Sequence, residues 1–393
     1  MRMRLETYHS MMQTGLQQAP ACRGIVLRGT QGLPADHLRR TALERLGASD
    51  LTTLVHAEPG RDSQGDWVRL WLDAAVAQAW APGFNTLQLA QTLQLDTVNQ
   101  PADLLREIVL TLLMGPVAFE YPSIDELVSA VHIRRNIVQA ARKTTLAFDT
   151  AAAERPEGYW TYDATTGFTI LPGVSLIDAL TLATQPEISG TMYSFSCYRA
   201  TEYVTLLGIA QELAQSNPTL LAQLQELWSR RAIMSGEFHE VFLREQGSME
   251  APLPPFYYVP GDRTWFRNPD AASAEAAGFE GSWVMYKGGG LFTNFWKHQQ
   301  PYTLTTKCVE IYHWRHGLYR DEQGEDRIDE ARIEPMIQAT LGDEAEAARI
   351  MALMTRYREP RGVYTEAGGC IDTTREFARW VRPGTADLQL PTE

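Results

Sequence analysis

Met192-Tyr193-Ser194-Phe195-Ser196-Cys197-Tyr198-Arg199-Ala200-Thr201-Glu202 carries an apolar and aromatic run into a thiol and then into a helical pattern. From Ala200 the apolar positions recur at helical spacing through Val204, Leu207, Ala210 and Leu213, and Pro218 closes the segment. That pattern predicts a helix of about five turns with Cys197 at its N-cap or first turn. Unpaired N–H groups and the helix dipole place partial positive charge there, which favours thiolate over thiol and lowers its pKa. The competing reading is a small buried apolar residue with no chemistry.

The chain of 393 residues, 44% of them apolar, can bury a substantial core. Its N-terminus lacks the continuous apolar stretch of a secretory signal, and the run Ile108 to Met114 is too short to span a bilayer. The expectation is a protein cytoplasmic at synthesis and without a membrane anchor, with non-classical export as an effector the alternative address. A net charge of −13 argues against a nucleic-acid or membrane-surface partner. The acidic balance gathers in Asp321 to Glu346, which reads as a solvated helix face. Cys22, Cys197, Cys308 and Cys370 lie far apart without a metal-knuckle or disulfide-framework spacing, so reduced thiols are expected.

Residues 1–100 show short helical patches broken by Gly, Pro and Asp, with no repeat and no catalytic constellation. A helix is predicted from Pro101 to Met114, ended by Gly115-Pro116, and another from Ser123, with Glu126 completing a capping box. Tyr159 to Leu171 reads as a hairpin, and Leu220 to Ile233 as a further helix. From Pro252 the chain turns aromatic and glycine-rich. Phe256–Val259, Thr264–Phe266, Trp283–Tyr286, Leu291–Trp296 and Val309–Trp314 are all expected as strands, and Glu330 to about Tyr357 as helix. Helices first and an antiparallel sheet afterwards give an α+β fold with segregated layers.

A cysteine nucleophile needs a base for its proton and a group that orients the base, and both must come from other elements. His298, ending Asn294-Phe295-Trp296-Lys297, and His313 and His316 on the following run are the candidate imidazoles; Glu280, ahead of the strand at Trp283, is a candidate carboxylate. His313 and His316 read as structural, since their spacing suits a metal on a helix better than on a strand.

With these residues in view, the segment from about Pro101 to Gly317 resembles the small protein-glutamine gamma-glutamyltransferases of bacterial spore coats, transglutaminases with a compact papain-like or NlpC/P60-like core. Tyr121–Leu127 and Asn136–Ala141 look like that family's first core helix, Trp160 falls in its hairpin, and Phe195-Ser196-Cys197 falls on its nucleophile segment. Gly261-Asp262-Arg263-Thr264-Trp265-Phe266-Arg267-Asn268-Pro269 is similar to the family's glycine-aspartate start running into an aromatic and basic turn.

The resemblance implies that Cys197 attacks a glutamine side-chain amide, releases ammonia and passes the acyl group to a lysine amine, with protein substrates, no cofactor and no metal. It implies a core over 101–318 between an N-terminal extension (1–100) and a helical, acidic C-terminal extension (319–393). Two family glutamates are replaced, by Ser196 and by Ser282; Glu280, two positions before Ser282, is the substitute on the same face of an extended strand. A three-residue insertion in Lys287-Gly288-Gly289-Gly290-Leu291 aligns His298 with the family histidine. Trp265, Phe279 and Trp283 are then the candidate walls of a substrate tunnel. The lost glutamates open two alternatives: a glutamine deamidase or cysteine peptidase on the same core, or a catalytically silent binding module.

Overall fold

In the computed structural model, residues 21–30, 33–148, 154–233, 235–297, 299–358, 368–388 and 390–391 are described. The first sheet orders β2 (Val55–Asp62), β3 (Gly65–Leu72), β1 (Ile25–Arg28) and β4 (Phe119–Tyr121), with β1 antiparallel to β3 and parallel to β4. Its apolar face, including Ile25, Leu27, Val68 and Leu70, packs with the helices Pro101–Leu113 and Ile124–Lys143 in one hydrophobic cluster. The described part of the first hundred residues therefore shares both a sheet and a core with the segment 101–143.

The helix Ile124–Lys143 starts where expected: Ser123 is extended and its Oγ accepts the Glu126 N–H at 3.1 Å. The hairpin β5 (Trp160–Asp163) and β6 (Gly167–Ile170) also forms as read. A second sheet orders β7 (Leu243–Gln246), β12 (Arg375–Ala378), β8 (Arg263–Arg267) and β9 (Gly281–Met285), all neighbours antiparallel. A small hairpin of β10 (Leu318–Arg320) and β11 (Asp326–Ile328) precedes the helices Glu330–Leu341 and Glu344–Met354. The result is a mixed helix-and-sheet protein in which the C-terminal region supplies an interior strand. No helix among the described residues is long and apolar enough to cross a membrane.

Three expected strands are not strands. Val309–Trp314 lies inside the helix Leu304–Gly317, opened by a reciprocal cap between Thr303 and Thr306. Leu304, Lys307, Cys308, Val309, Ile311, His313, Trp314 and Gly317 are all buried, so the helix is enclosed on most sides and shows no single apolar stripe. Its β-branched and aromatic run imitates a strand. Phe256–Val259 is irregular, with the Tyr257 N–H turning back to the Pro254 carbonyl at 3.0 Å, the Tyr258 N–H going to Thr86 Oγ1 at 2.8 Å and the Val259 N–H to Asp262 Oδ2 at 2.7 Å. Leu291–Trp296 is irregular, with bridges at Phe292 to Tyr286 and Tyr302.

On the helix, His313 and His316 fall one turn apart, with Nδ1 atoms 3.0 Å apart, and His313 Nε2 lies 2.8 Å from Thr340 Oγ1. Among the described residues no group of three or more His, Cys, Asp or Glu side chains is placed to hold a metal ion.

Candidate active site

The helix Cys197–Ser216 begins because Ser196 adopts an extended conformation and its Oγ accepts the Arg199 N–H at 3.2 Å, leaving Cys197 as the first helical residue. It is buried around its circumference, from Ala200 to Leu213, against the helices Ile124–Lys143 and Leu176–Thr184 and against β9. Gly208 permits the closest approach: a Cβ there would stand 2.5 Å from Ile137 Cγ1 and 2.9 Å from the Ile137 nitrogen. A rigid, fully packed helix thus fixes the sulfur's position.

The main-chain N–H groups of Trp283 on β9 and of Tyr198 act on the Cys197 sulfur to favour its thiolate. Cys197 is half-buried and lines a cleft. Burial pushes its pKa above the ordinary thiol value, against the Trp283 N–H, the Lys307 charge, the Tyr198 N–H and the Arg263 charge. The expected lowering by the helix terminus is therefore overridden, because desolvation of the thiolate outweighs the dipole and its donors.

Beneath this, Arg263 on β8 is buried. Its Nε donates to Thr201 Oγ1 at 2.8 Å, its Nη1 to Glu376, and its guanidinium lies 3.7 Å from the Trp283 ring centroid and 4.6 Å from that of Tyr198. Glu376, from β12, also bonds His239 Nδ1 at 2.9 Å. Burial acts to raise the Glu376 carboxyl, but His239 and Arg263 together hold it below its ordinary value, and the Glu376 hydrogen bond in turn raises the His239 pKa.

Cys197 opens into a cleft of about 210 Å³. Phe279, Trp283, Trp296, Tyr302 and Trp314 supply aromatic walls, and Ile333 and Ile337 of the helix Glu330–Leu341 close one side. Its charged lining is Lys297, Lys307, Glu310, Glu330 and Glu334. Lys307 Nζ donates to Glu310 Oε1 at 2.9 Å and stands 4.1 Å from the Tyr302 ring centroid and 5.5 Å from that of Trp314. Burial, then the charge of Glu310 and a hydrogen bond to it, raise the Tyr302 phenol above its ordinary pKa, with Glu330 and Glu334 adding to the effect.

Of the sequence-derived candidates, the structure brings Cys197, Phe279 and Trp283 into this cleft. Trp265 stacks on Trp283 with ring centroids 6.0 Å apart and is not part of the lining. Glu280 is exposed, accepts the Gly278 N–H at 3.2 Å and is likewise outside the lining. His298 lies outside the described residues. Among the described residues no histidine lines the cleft. Lys307, Glu310 and Tyr302 escape the sequence reading: Glu310 lies in the run Val309–Trp314 that reads as a strand, and Lys307 and Tyr302 lie just ahead of it. The available signals were the Thr303 and Thr306 cap and the Lys307–Glu310 spacing of three.

The loop Lys287–Leu291 is more than a length-tolerant turn. Gly289 N–H donates to both Glu107 carboxylate oxygens at 3.0 Å, Tyr286 Oη donates to Glu107 Oε1 at 3.0 Å, and a Cβ on Gly288 would stand 2.6 Å from Glu107 Oε2. Gly288 also has φ +77°, so only glycine fits without strain. Burial pushes the Glu107 carboxyl up to about 7, against these hydrogen bonds and the charge of Arg142.

A family model described as protein-glutamine gamma-glutamyltransferase matches residues 85–390. A protein-glutamine gamma-glutamyltransferase of Halalkalibacterium halodurans is 27% identical over 170 residues, which are 42% of this chain and 54% of that protein. The chain thus spans about half the length of this curated relative. Among solved structures, a transglutaminase from Geobacillus stearothermophilus, without its C-terminal extension, matches at 19% identity and a TM-score of 0.36, over 48% of this chain and 85% of the other.

Proposed function

The chain belongs to the protein-glutamine gamma-glutamyltransferase family, and we propose that it transfers the acyl group of a protein glutamine side chain to a lysine amine through a thioester on Cys197. The observation that carries this reading is the placement of that thiol: first residue of a helix buried along its length, lining an aromatic-walled cleft, with the N–H groups of Tyr198 and Trp283 acting to favour its thiolate. Donors held there can receive negative charge on the sulfur, or on the oxygen of the acyl carbon bonded to it, without reorganising. The enclosed aromatic walls favour an amine over water as acceptor by limiting the water that reaches the thioester.

A nucleophile at a helix N-terminus, packed on an antiparallel sheet, supports a papain-like core. The catalytic unit in this reading is wider than 101–318, because the helix Glu330–Leu341 walls the cleft and β12 supplies Glu376, the counter-charge of the buried Arg263. The sequence nominates His298 as base and Glu280 as orienting carboxylate; the exposed position of Glu280 favours the acids of the cleft over it.

Incubating the protein with a glutamine-containing protein, with and without a primary amine, and weighing the products tests this. Amine-adduct mass that disappears in Cys197→Ser supports transfer. A gain of about one dalton regardless of amine means hydrolysis, and no change in either condition leaves a binding protein.

A further inference from the structure

We infer that Lys307, held by Glu310, is the proton-carrying partner of Cys197, an ammonium standing where cysteine acyl transferases ordinarily use an imidazolium. The inference rests on the acyl-transfer reading above and assigns a residue within that site.

Lys307 and Cys197 line one cleft, yet come from helices more than a hundred residues apart in sequence, counted from the start of each. Only 4% of the Lys307 side chain is exposed, which is rare for a lysine without a specific task or a full set of partners. An ammonium carries three protons. Glu310 takes one at 2.9 Å and is the single oxygen partner of Nζ among the described residues, while the Tyr302 and Trp314 rings hold its charge from the sides. Protons are therefore left for a molecule in the cleft. The charge also acts on the sulfur, opposing the rise that burial imposes on the thiol.

The proton balance closes with these groups alone. Thiolate and ammonium form the reactive pair. As the Cys197 sulfur bonds to the glutamine amide carbon, the C–N bond breaks, and a Lys307 proton goes to the departing nitrogen as ammonia, leaving a neutral amine on Lys307. A neutral amine acceptor then attacks the thioester carbon, its nitrogen gives a proton to Lys307, and the C–S bond breaks to restore thiolate and ammonium. Glu310 orients Nζ through both steps.

The test compares the parent with Lys307→Met, Lys307→Arg and His298→Ala, reading iodoacetamide alkylation of Cys197 against pH beside amine incorporation. Lys307→Met is expected to slow alkylation at pH 7 about tenfold, the change that one pKa unit gives, with the difference closing as the pH passes that of the thiol. Lys307→Arg keeps the charge but cannot surrender a proton, so it keeps alkylation and loses amine incorporation by about a hundredfold or more. A protein that merely lost its packing would not separate the two readouts in this way.

Parent-like alkylation and turnover in Lys307→Met, or full turnover in Lys307→Arg, would overturn the inference; so would loss of the pH 7 alkylation rate in His298→Ala alone. Activity surviving in Cys197→Ser would instead overturn the acyl-transfer reading itself, an outcome separate from any Lys307 result.

Discussion

Trp283 on β9 and Cys197 at the start of the helix Cys197–Ser216 line the same cleft, and the main-chain N–H of Trp283 acts to lower the pKa of the thiol. Because that donor is backbone, its position is set by the β8–β9 register that pairs Trp265 with Trp283, not by the indole. Trp283→Phe is accordingly expected to leave the pH profile of Cys197 alkylation within about twofold of the parent, since the main-chain donor survives. A large displacement of that profile would assign control of the thiol to the ring and its contact with Arg263.

The start of the nucleophile helix depends on Ser196, which stands where the family resemblance places a glutamate and whose Oγ caps the Arg199 N–H. Ser196→Ala should cost about 1 kcal/mol in a urea unfolding experiment. A change near zero would show that packing alone fixes the helix end.

Glu376 is expected to matter far more. It pairs with the buried Arg263 under the site, and Glu376→Gln would leave that guanidinium without its counter-charge, a loss on the order of 3–5 kcal/mol by chemical denaturation. The partner His239, whose pKa this carboxylate raises, adds a contribution complete below its ordinary value of 6.5 and lost as the pH climbs through the raised one. The variant should lose this dependence. For the same reason, removing 319–393 to test a covering role for that region would extract β12 from the middle of a sheet, and an insoluble product is the expected result.

Glu107 gives a separate pH signature. Its carboxyl ordinarily titrates at 4.5 but is pushed up to about 7 in the folded protein, so the protonated form is the one folding prefers. The associated stability is complete below about 4.5 and lost as the pH rises through about 7. Melting curves from pH 5 to 8 should fall more steeply for the parent than for Glu107→Gln, which cannot ionise; parallel curves would contradict the assignment.

Much of this was legible in the residues. The spacing after Ala200, the Ser123 cap and the 159–171 hairpin are local signals, and each formed where its chemistry required. Two kinds of information were not local. Pairing of β1 with β4 joins positions almost a hundred residues apart, which no periodicity reports. The helix Leu304–Gly317 is buried on most sides, so its apolar positions lack the one-sided stripe that marks a helix, and β-branched and aromatic side chains then favoured a strand. That reading hides Glu310, and with it the pairing to Lys307 three residues earlier on the same helix. The thiol's pKa also reversed direction, because a sequence shows the helix terminus but not the enclosure that outweighs it.

The central claim is that acyl transfer passes through the sulfur of Cys197. Mixing the protein with a glutamine-containing peptide, quenching in acid within the first turnovers and mapping the digest by mass spectrometry reads that bond directly. The acyl group is expected on the peptide that contains Cys197, released by added amine and missing from Cys197→Ser. Turnover of the donor with no mass on that peptide, undiminished by the serine substitution, would contradict it.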